Sequence, residues 1–174
     1  MNLFKLSGIV IAGCFFFAQT VAAQSNPAIS KEYSDETVAR MIRQYRMSGA
    51  RDVMPPAALA AKFKSDFPKA YDAEWEVADS IYEVEFDLKF RDCEAYYDAR
   101  GNLLMVVEEI YRSELPATVK NVAKAKYPGY SFEDIDRIRR GTEVFYKIEM
   151  ERRDAEVKLL IKADGAVMEE KTDD

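Results

Sequence analysis

The chain has 174 residues, a formal net charge of −6, 48% apolar composition and no histidine. The missing imidazole excludes Ser-His-Asp and Cys-His catalytic arrangements, HExxH zinc sites and the usual side-chain proton shuttle. The acidic balance is a poor match for nucleic acid, whose phosphates call for a basic patch.

Residues 1–23, MNLFKLSGIVIAGCFFFAQTVAA, carry one lysine and no acid, then an apolar run, then small residues. That is the form of a secretory signal peptide cleaved after Ala23. The run is too short and interrupted for a stable membrane span. The expected location is periplasmic or secreted. A second processing stays open, because IAGC (Ile11 to Cys14) resembles a bacterial lipoprotein box and would anchor the chain at Cys14. Three phenylalanines follow Cys14 where a polar tether would be expected, which favours cleavage at Ala23. Cleavage removes Lys5 and no acid, leaving a more negative mature chain whose one cysteine is Cys93. No internal disulfide can form, and a chain this apolar can build a core without one. Cys93 reads as a small buried residue, with no obvious basic neighbour to activate it.

Residues 24–54 form a lead and an amphipathic helix. Ser34 reads as an N-cap, and Asp35 and Glu36 sit in the first turn, where the helix dipole favours acids. Val38, Met41, Ile42 and Tyr45 recur at helical spacing, with Arg40, Arg43 and Arg46 on the other side. This predicts a surface helix with a solvated arginine face.

Residues 55–112 and 113–174 read as two copies of one unit. In the first, Pro55-Pro56 opens a helix, Leu59, Phe63 and Phe67 line it, and Pro68 stops it. Trp75 and Val77 then alternate with Glu74 and Glu76. In YEVEFDLKF, Tyr82, Val84, Phe86, Leu88 and Phe90 take one face of a strand and Glu83, Glu85, Asp87 and Lys89 the other. CEAYYDA and LLMVVEEIY follow as further strands. In the second copy Pro116 opens the helix and Tyr127-Pro128 closes it, 60 residues after Phe67-Pro68. Tyr146, Ile148 and Met150 then stand 64 residues after Tyr82, Val84 and Phe86. The four-residue change is expected in a loop near Arg137 to Gly141, where insertions are tolerated. The prediction is an α+β fold of tandem helix-plus-antiparallel-sheet units. Both repeat helices pack on one face of a sheet of up to eight strands, the charged face meets water, and the N-terminal helix is extra.

The order of helix, aromatic-Pro, EW strand, YEVEF and YYDARGNLL, then LPATV, YP, YKIE and ADG, resembles the PepSY-like family of exported bacterial proteins. The match runs from about Pro55 to Lys171. The resemblance implies a fold similar to beta-lactamase inhibitory protein, with the open sheet face as a protein-binding surface. It brings no catalytic residues.

No glycine-rich phosphate loop is present, and Glu133 to Gly141 lacks the ligand spacing of a calcium loop and reads as solvated loop and strand. No metal or cofactor is expected. Glu83, Glu85 and Asp87 share a face at roughly 6–7 Å intervals by strand rise, a common accident of alternation and no sign of an enzyme. The predicted outward face carries Glu83, Glu85, Asp87, Glu94, Tyr96 and Asp98 in the first copy. In the second it carries Phe145, Lys147, Glu149, Glu156, Lys158 and Lys162. The candidate partner-binding set is Glu83, Glu85, Asp87, Glu94, Tyr96, Phe145, Lys147 and Glu149, with a basic protein or peptide as the expected partner. The alternative is an envelope carrier or sensor holding a small apolar or cationic molecule between helices and sheet.

Overall fold

The structure is a computed structural model describing residues 26–173. The expected leader, its cleavage point at Ala23 and the Cys14 anchor lie outside the described residues. The elements are α1 (Asp35–Met47), β1 (Arg51–Asp52), α2 (Ala57–Asp66), β2 (Tyr71–Ala78), β3 (Ile81–Asp87), β4 (Asp92–Asp98) and β5 (Leu103–Glu109). There follow α3 (Ala117–Lys126), β6 (Ser131–Arg140), β7 (Glu143–Arg152), β8 (Ala155–Lys162) and β9 (Val167–Asp173). All strands join one antiparallel sheet in sequence order. The ninth strand beyond the expected eight is β1, a two-residue edge pairing Arg51 with Val77 and Asp52 with Glu76.

Duplication is visible in the backbone. Pro56 and Pro116 lead into α2 and α3 with φ/ψ of −53/141 and −54/140. Phe67 and Tyr127 leave them at −128/69 and −125/73. Val84 lies between Trp75 and Ala95 in the ladder, and Ile148 lies between Ile135 and Leu159. The four extra residues of the second copy are not in a loop. Ile138 pairs with Phe145 where Ala78 pairs with Ile81, and two further rungs, Arg139 with Val144 and Arg140 with Glu143, extend the hairpin before it turns at Gly141-Thr142. Residues 133–140, read as partly loop, are accordingly in β6.

Strand alternation divides the core between two faces. On one, α2 brings Leu59, Phe63 and Phe67 against Val84, Phe86, Cys93, Ala95 and Tyr97. On the same face α3 brings Leu115, Val119 and Ala123 against Tyr146, Ile148, Met150 and Leu159. Rings of Phe63, Phe67 and Phe86 meet at centroid distances of 4.7–5.5 Å. Burial pushes the Cys93 thiol up to about 12, so it is an inert core residue.

The other face is not open throughout, and this corrects the expectation that it meets water. Val38, Ile42 and Tyr45 of α1 are buried against Ala78, Ile81, Tyr96, Leu104, Met105 and Val107. The helix lies across the sheet with its apolar stripe inward, while Arg40, Arg43 and Arg46 stay exposed as expected. Both its ends are tied to hairpin turns. Thr142 donates its backbone N–H and its hydroxyl to Asp35 at 2.9 and 2.7 Å, while Ser48 and Gln44 donate to Asp79 at 2.6 and 3.1 Å. Gly141, at φ +56°, is needed for this clasp, because a Cβ there would sit 1.7 Å from the Asp35 carboxylate. Among the described residues no helix is long and apolar enough to cross a membrane.

Candidate functional site

Beside α1, the sheet's second face carries an acidic strip on β2–β4. The register sets Glu74 opposite Glu85 and Glu76 opposite Glu83. It also sets Glu85 opposite Glu94 and Asp87 opposite Asp92. Like charges directly across a ladder destabilise a sheet, and here four rungs do so in one patch. Burial pushes the Glu85 carboxyl above the usual carboxylate range, and Glu83, Glu76 and Glu74 push it further. Asp87 is raised too, by desolvation and then by Asp92 and Asp72.

Where the strip passes under α1 it becomes a buried network. Glu83 is 8% exposed and Tyr96 2%. The Tyr96 hydroxyl is within hydrogen-bonding distance of Glu83 Oε1 and 2.7 Å from Glu94 Oε2. A phenol has one proton to donate, so the second contact calls for another proton or a nearby cation. Burial, then the Glu83 charge, pushes Glu94 up, and the helix delivers the cation. Arg46, exposed in the last turn of α1, is near enough to feel this group: desolvation works against its charge, but Tyr96, Glu94 and Glu83 outweigh it and hold it above the usual arginine value. The Tyr45 hydroxyl, raised by burial and by Glu83, donates to Glu76 at 3.3 Å. Oxygens of Glu83, Glu85 and Glu94 all lie within 4.8 Å of one another, an arrangement suited to a cation.

The β6–β8 part of the face differs in kind. Lys147 pairs with Asp136 and Glu149, and Lys158 pairs with Glu149 and Glu156, at 2.9–3.5 Å. Lys162 pairs with Glu143. Opposite charges meet across these strands, so the patch is internally compensated.

Of the eight candidate partner-binding residues, all lie on the second face, but three are not outward surface. Glu83 and Tyr96 are under α1, and Phe145, 2% exposed, is roofed by the guanidinium of Arg140 at 4.5 Å and by Lys162. Asp98, also expected outward, is buried, accepting from Tyr33 and Asn102. Glu85, Asp87 and Glu94 stay together at the strip, whereas Lys147 and Glu149 belong to the compensated lattice. The strip also includes Glu74, Glu76 and Asp92, which the sequence reading left out although Glu74 and Glu76 already alternate with Trp75. Its margin carries exposed apolar groups, Met54 at 90%, Phe90 at 91% and Tyr71. Lys89 and Phe90 both adopt left-handed φ, 58° and 63°, so the turn that exposes this ring is strained.

Residues 41–105 and 105–169 each match the family model described as "Putative beta-lactamase-inhibitor-like, PepSY-like". The fold is similar to that of a DUF2874 family protein from Bacteroides uniformis (18% identity, TM-score 0.61, 68% of this chain and 90% of that one). It is similar to a BLIP-like protein from Bacteroides fragilis (22% identity, TM-score 0.58, 69% and 87%). A third likeness is to a Bacteroides eggerthii structure described as "putative periplasmic proteins" (15% identity, TM-score 0.62, 69% and 90%). At these identities the likeness is one of fold. No curated protein matches the chain.

Proposed function

The chain belongs to the PepSY-like, beta-lactamase-inhibitor-like family, and from that premise we propose that it is an exported, non-enzymatic module that binds a basic protein or peptide along its acidic strip. The observation that carries this reading is the set of like-charged rungs Glu74–Glu85, Glu85–Glu94 and Asp87–Asp92 beside the helix. Such rungs cost stability in the unbound protein, and a cationic partner relieves that cost on binding. Glu85, Asp87 and Glu94, with Glu74 and Asp92, would meet the partner's lysines and arginines and steer its approach. Glu83 and Tyr96 support the strip from beneath α1, and Met54 and Phe90 are available as apolar anchors at its margin. The expected leader and the periplasmic description of a fold neighbour support export. If the partner is an enzyme, inhibition follows where the strip covers its active site.

The test compares immobilised wild type with a Glu74→Lys, Glu85→Lys, Asp87→Lys variant in capture from envelope or culture extract. A retained protein is then identified, purified and measured for rebinding. Retention by wild type alone, released at about 0.5 M salt where exposed charges are screened, is the expected outcome. Equal retention by both proteins contradicts the proposal.

A further inference from the structure

Between α1 and the β5–β9 part of the sheet, adjoining the acidic strip at Glu94, lies a groove of about 570 Å³, within the size range of small-molecule sites. Its floor is apolar: Met105, Val107, Ile138 and Leu160 of the sheet, faced by Ile42 and Met47 of α1. Its charged lining carries Arg43, Arg46, Arg140 and Lys171 together with Lys147 and Lys158, which are compensated by Asp136, Glu149 and Glu156, against Glu94 and Glu169. Asp136 is already engaged by Lys147, and Glu94 by Tyr96.

Two of the arginines have donors to spare. Arg43 is exposed on α1 and has no ion-pair partner among the described residues. Arg140 lies over the Phe145 ring, and among the described residues its one ion-pair contact is Glu143 at 3.8 Å and its buried Nε has no hydrogen-bond partner. A buried donor without an acceptor is costly, and a guanidinium is the side chain best shaped to receive a carboxylate.

We infer that this groove binds a single-chain anionic amphiphile, a long-chain carboxylate whose head meets Arg43 and Arg140 and whose chain lies over Ile138, Leu160 and Met105. The exposed Met47 is the adaptable wall against which a flexible chain can settle. Glu94 borders both this groove and the acidic strip, so the test below rests on Arg43, Arg140 and Leu160, which the strip lacks.

The test is displacement of a fluorescent dansylamino-undecanoate probe from the full mature protein. Dodecanoate should displace it saturably, and dodecyl maltoside and dodecyltrimethylammonium should do so poorly. An Arg43→Glu, Arg140→Met variant keeps an aliphatic cover on Phe145 and should bind dodecanoate about tenfold more weakly or worse, as expected for the loss of charge-assisted contacts. Leu160→Glu should abolish binding while circular dichroism shows native melting. Arg43→Glu alone, on an exposed helix position, gives the same direction should the double variant not fold. Absence of saturable displacement, equal displacement by the neutral or cationic amphiphile, or wild-type binding by the Arg43 variants overturns the inference. So does displacement by an oligoglutamate peptide in place of dodecanoate, which would make the groove a protein-docking face.

Discussion

Glu83 and Glu85 are two residues apart on β3, identical in chemistry and on the same side of the sheet, and their removal should have different consequences. Glu83 is buried beneath α1, accepts from Tyr96, and shares the countercharge for Arg46. Glu83→Ala leaves those donors and part of that charge without a partner. Hydrogen bonds to charged groups are worth about 1.5–3 kcal/mol each, so the loss should be about 2–3 kcal/mol. Glu85 is exposed and faces Glu74 on one side and Glu94 on the other. Its removal relieves two like-charge rungs at a few tenths of a kcal/mol each once solvent screening is allowed for, against a similar loss of strand propensity on going to alanine. Glu85→Ala should therefore stay within about 0.5 kcal/mol of wild type, and Glu85→Lys, which turns repulsion into attraction, should gain about 0.5–1 kcal/mol. Urea unfolding reads the difference as midpoint shifts at constant slope, and thermal melting should separate the two alanine variants by roughly 5–10 °C. Equal destabilisation by the two alanine variants would refute the placement of α1 over Glu83. A destabilising Glu85→Lys would refute the claim that the strip is electrostatically frustrated.

Phe86→Ala, in the aromatic cluster under α2, should cost about 3–5 kcal/mol by urea unfolding. Gly141→Ala places a methyl against the Asp35 carboxylate, so it should cost about 1–2 kcal/mol and raise amide exchange in α1 ahead of the sheet; unchanged α1 protection would contradict the clasp. Because Glu85 has a raised value in the folded protein, it favours folding when protonated: that stabilisation is fully present below the ordinary carboxylate value of about 4.3 and is lost as pH rises through the folded value. Glu85→Gln should accordingly be more stable than wild type at neutral pH, with the difference vanishing on acidification; a constant difference would contradict the sign.

The helix-facing half of the molecule was legible because single residues carried it. Val84, Phe86, Ile148 and Met150 alternate with charges on their own strands, and Pro56, Phe67, Pro116 and Tyr127 mark equivalent helix boundaries. The second face was legible only as a face. Its apolar docking site for α1 gathers residues from β2, β3, β4 and β5, and no one strand shows enough of them to predict a cover. Tyr96 was concealed in another way, since Glu94 and Asp98 on either side of it in the alternation made its whole register look solvated. The hairpin extension failed for a third reason: Arg139, Arg140, Glu143 and Val144 have no alternation of burial, being half-buried on both faces, so pairing had to reveal them as strand. Cross-strand neighbours, which decide whether acids repel or pair, lie beyond any single-strand pattern. Composition already separates an acidic half from a mixed one, but only the register shows that the acids of the first face one another and those of the second face lysines.

The central claim is that the partner meets the acidic strip, and a photo-crosslinking residue tests it most directly. Benzoylphenylalanine at position 85 is placed on the strip, and at position 124 it is placed on the exposed side of α3 as the control. Irradiation in the producing cells should trap a basic protein from position 85 and not from position 124, with the adduct lost when Glu74 and Asp87 are changed to lysine. Crosslinking from position 124 alone, or none from position 85 in cells that export the protein, would contradict it.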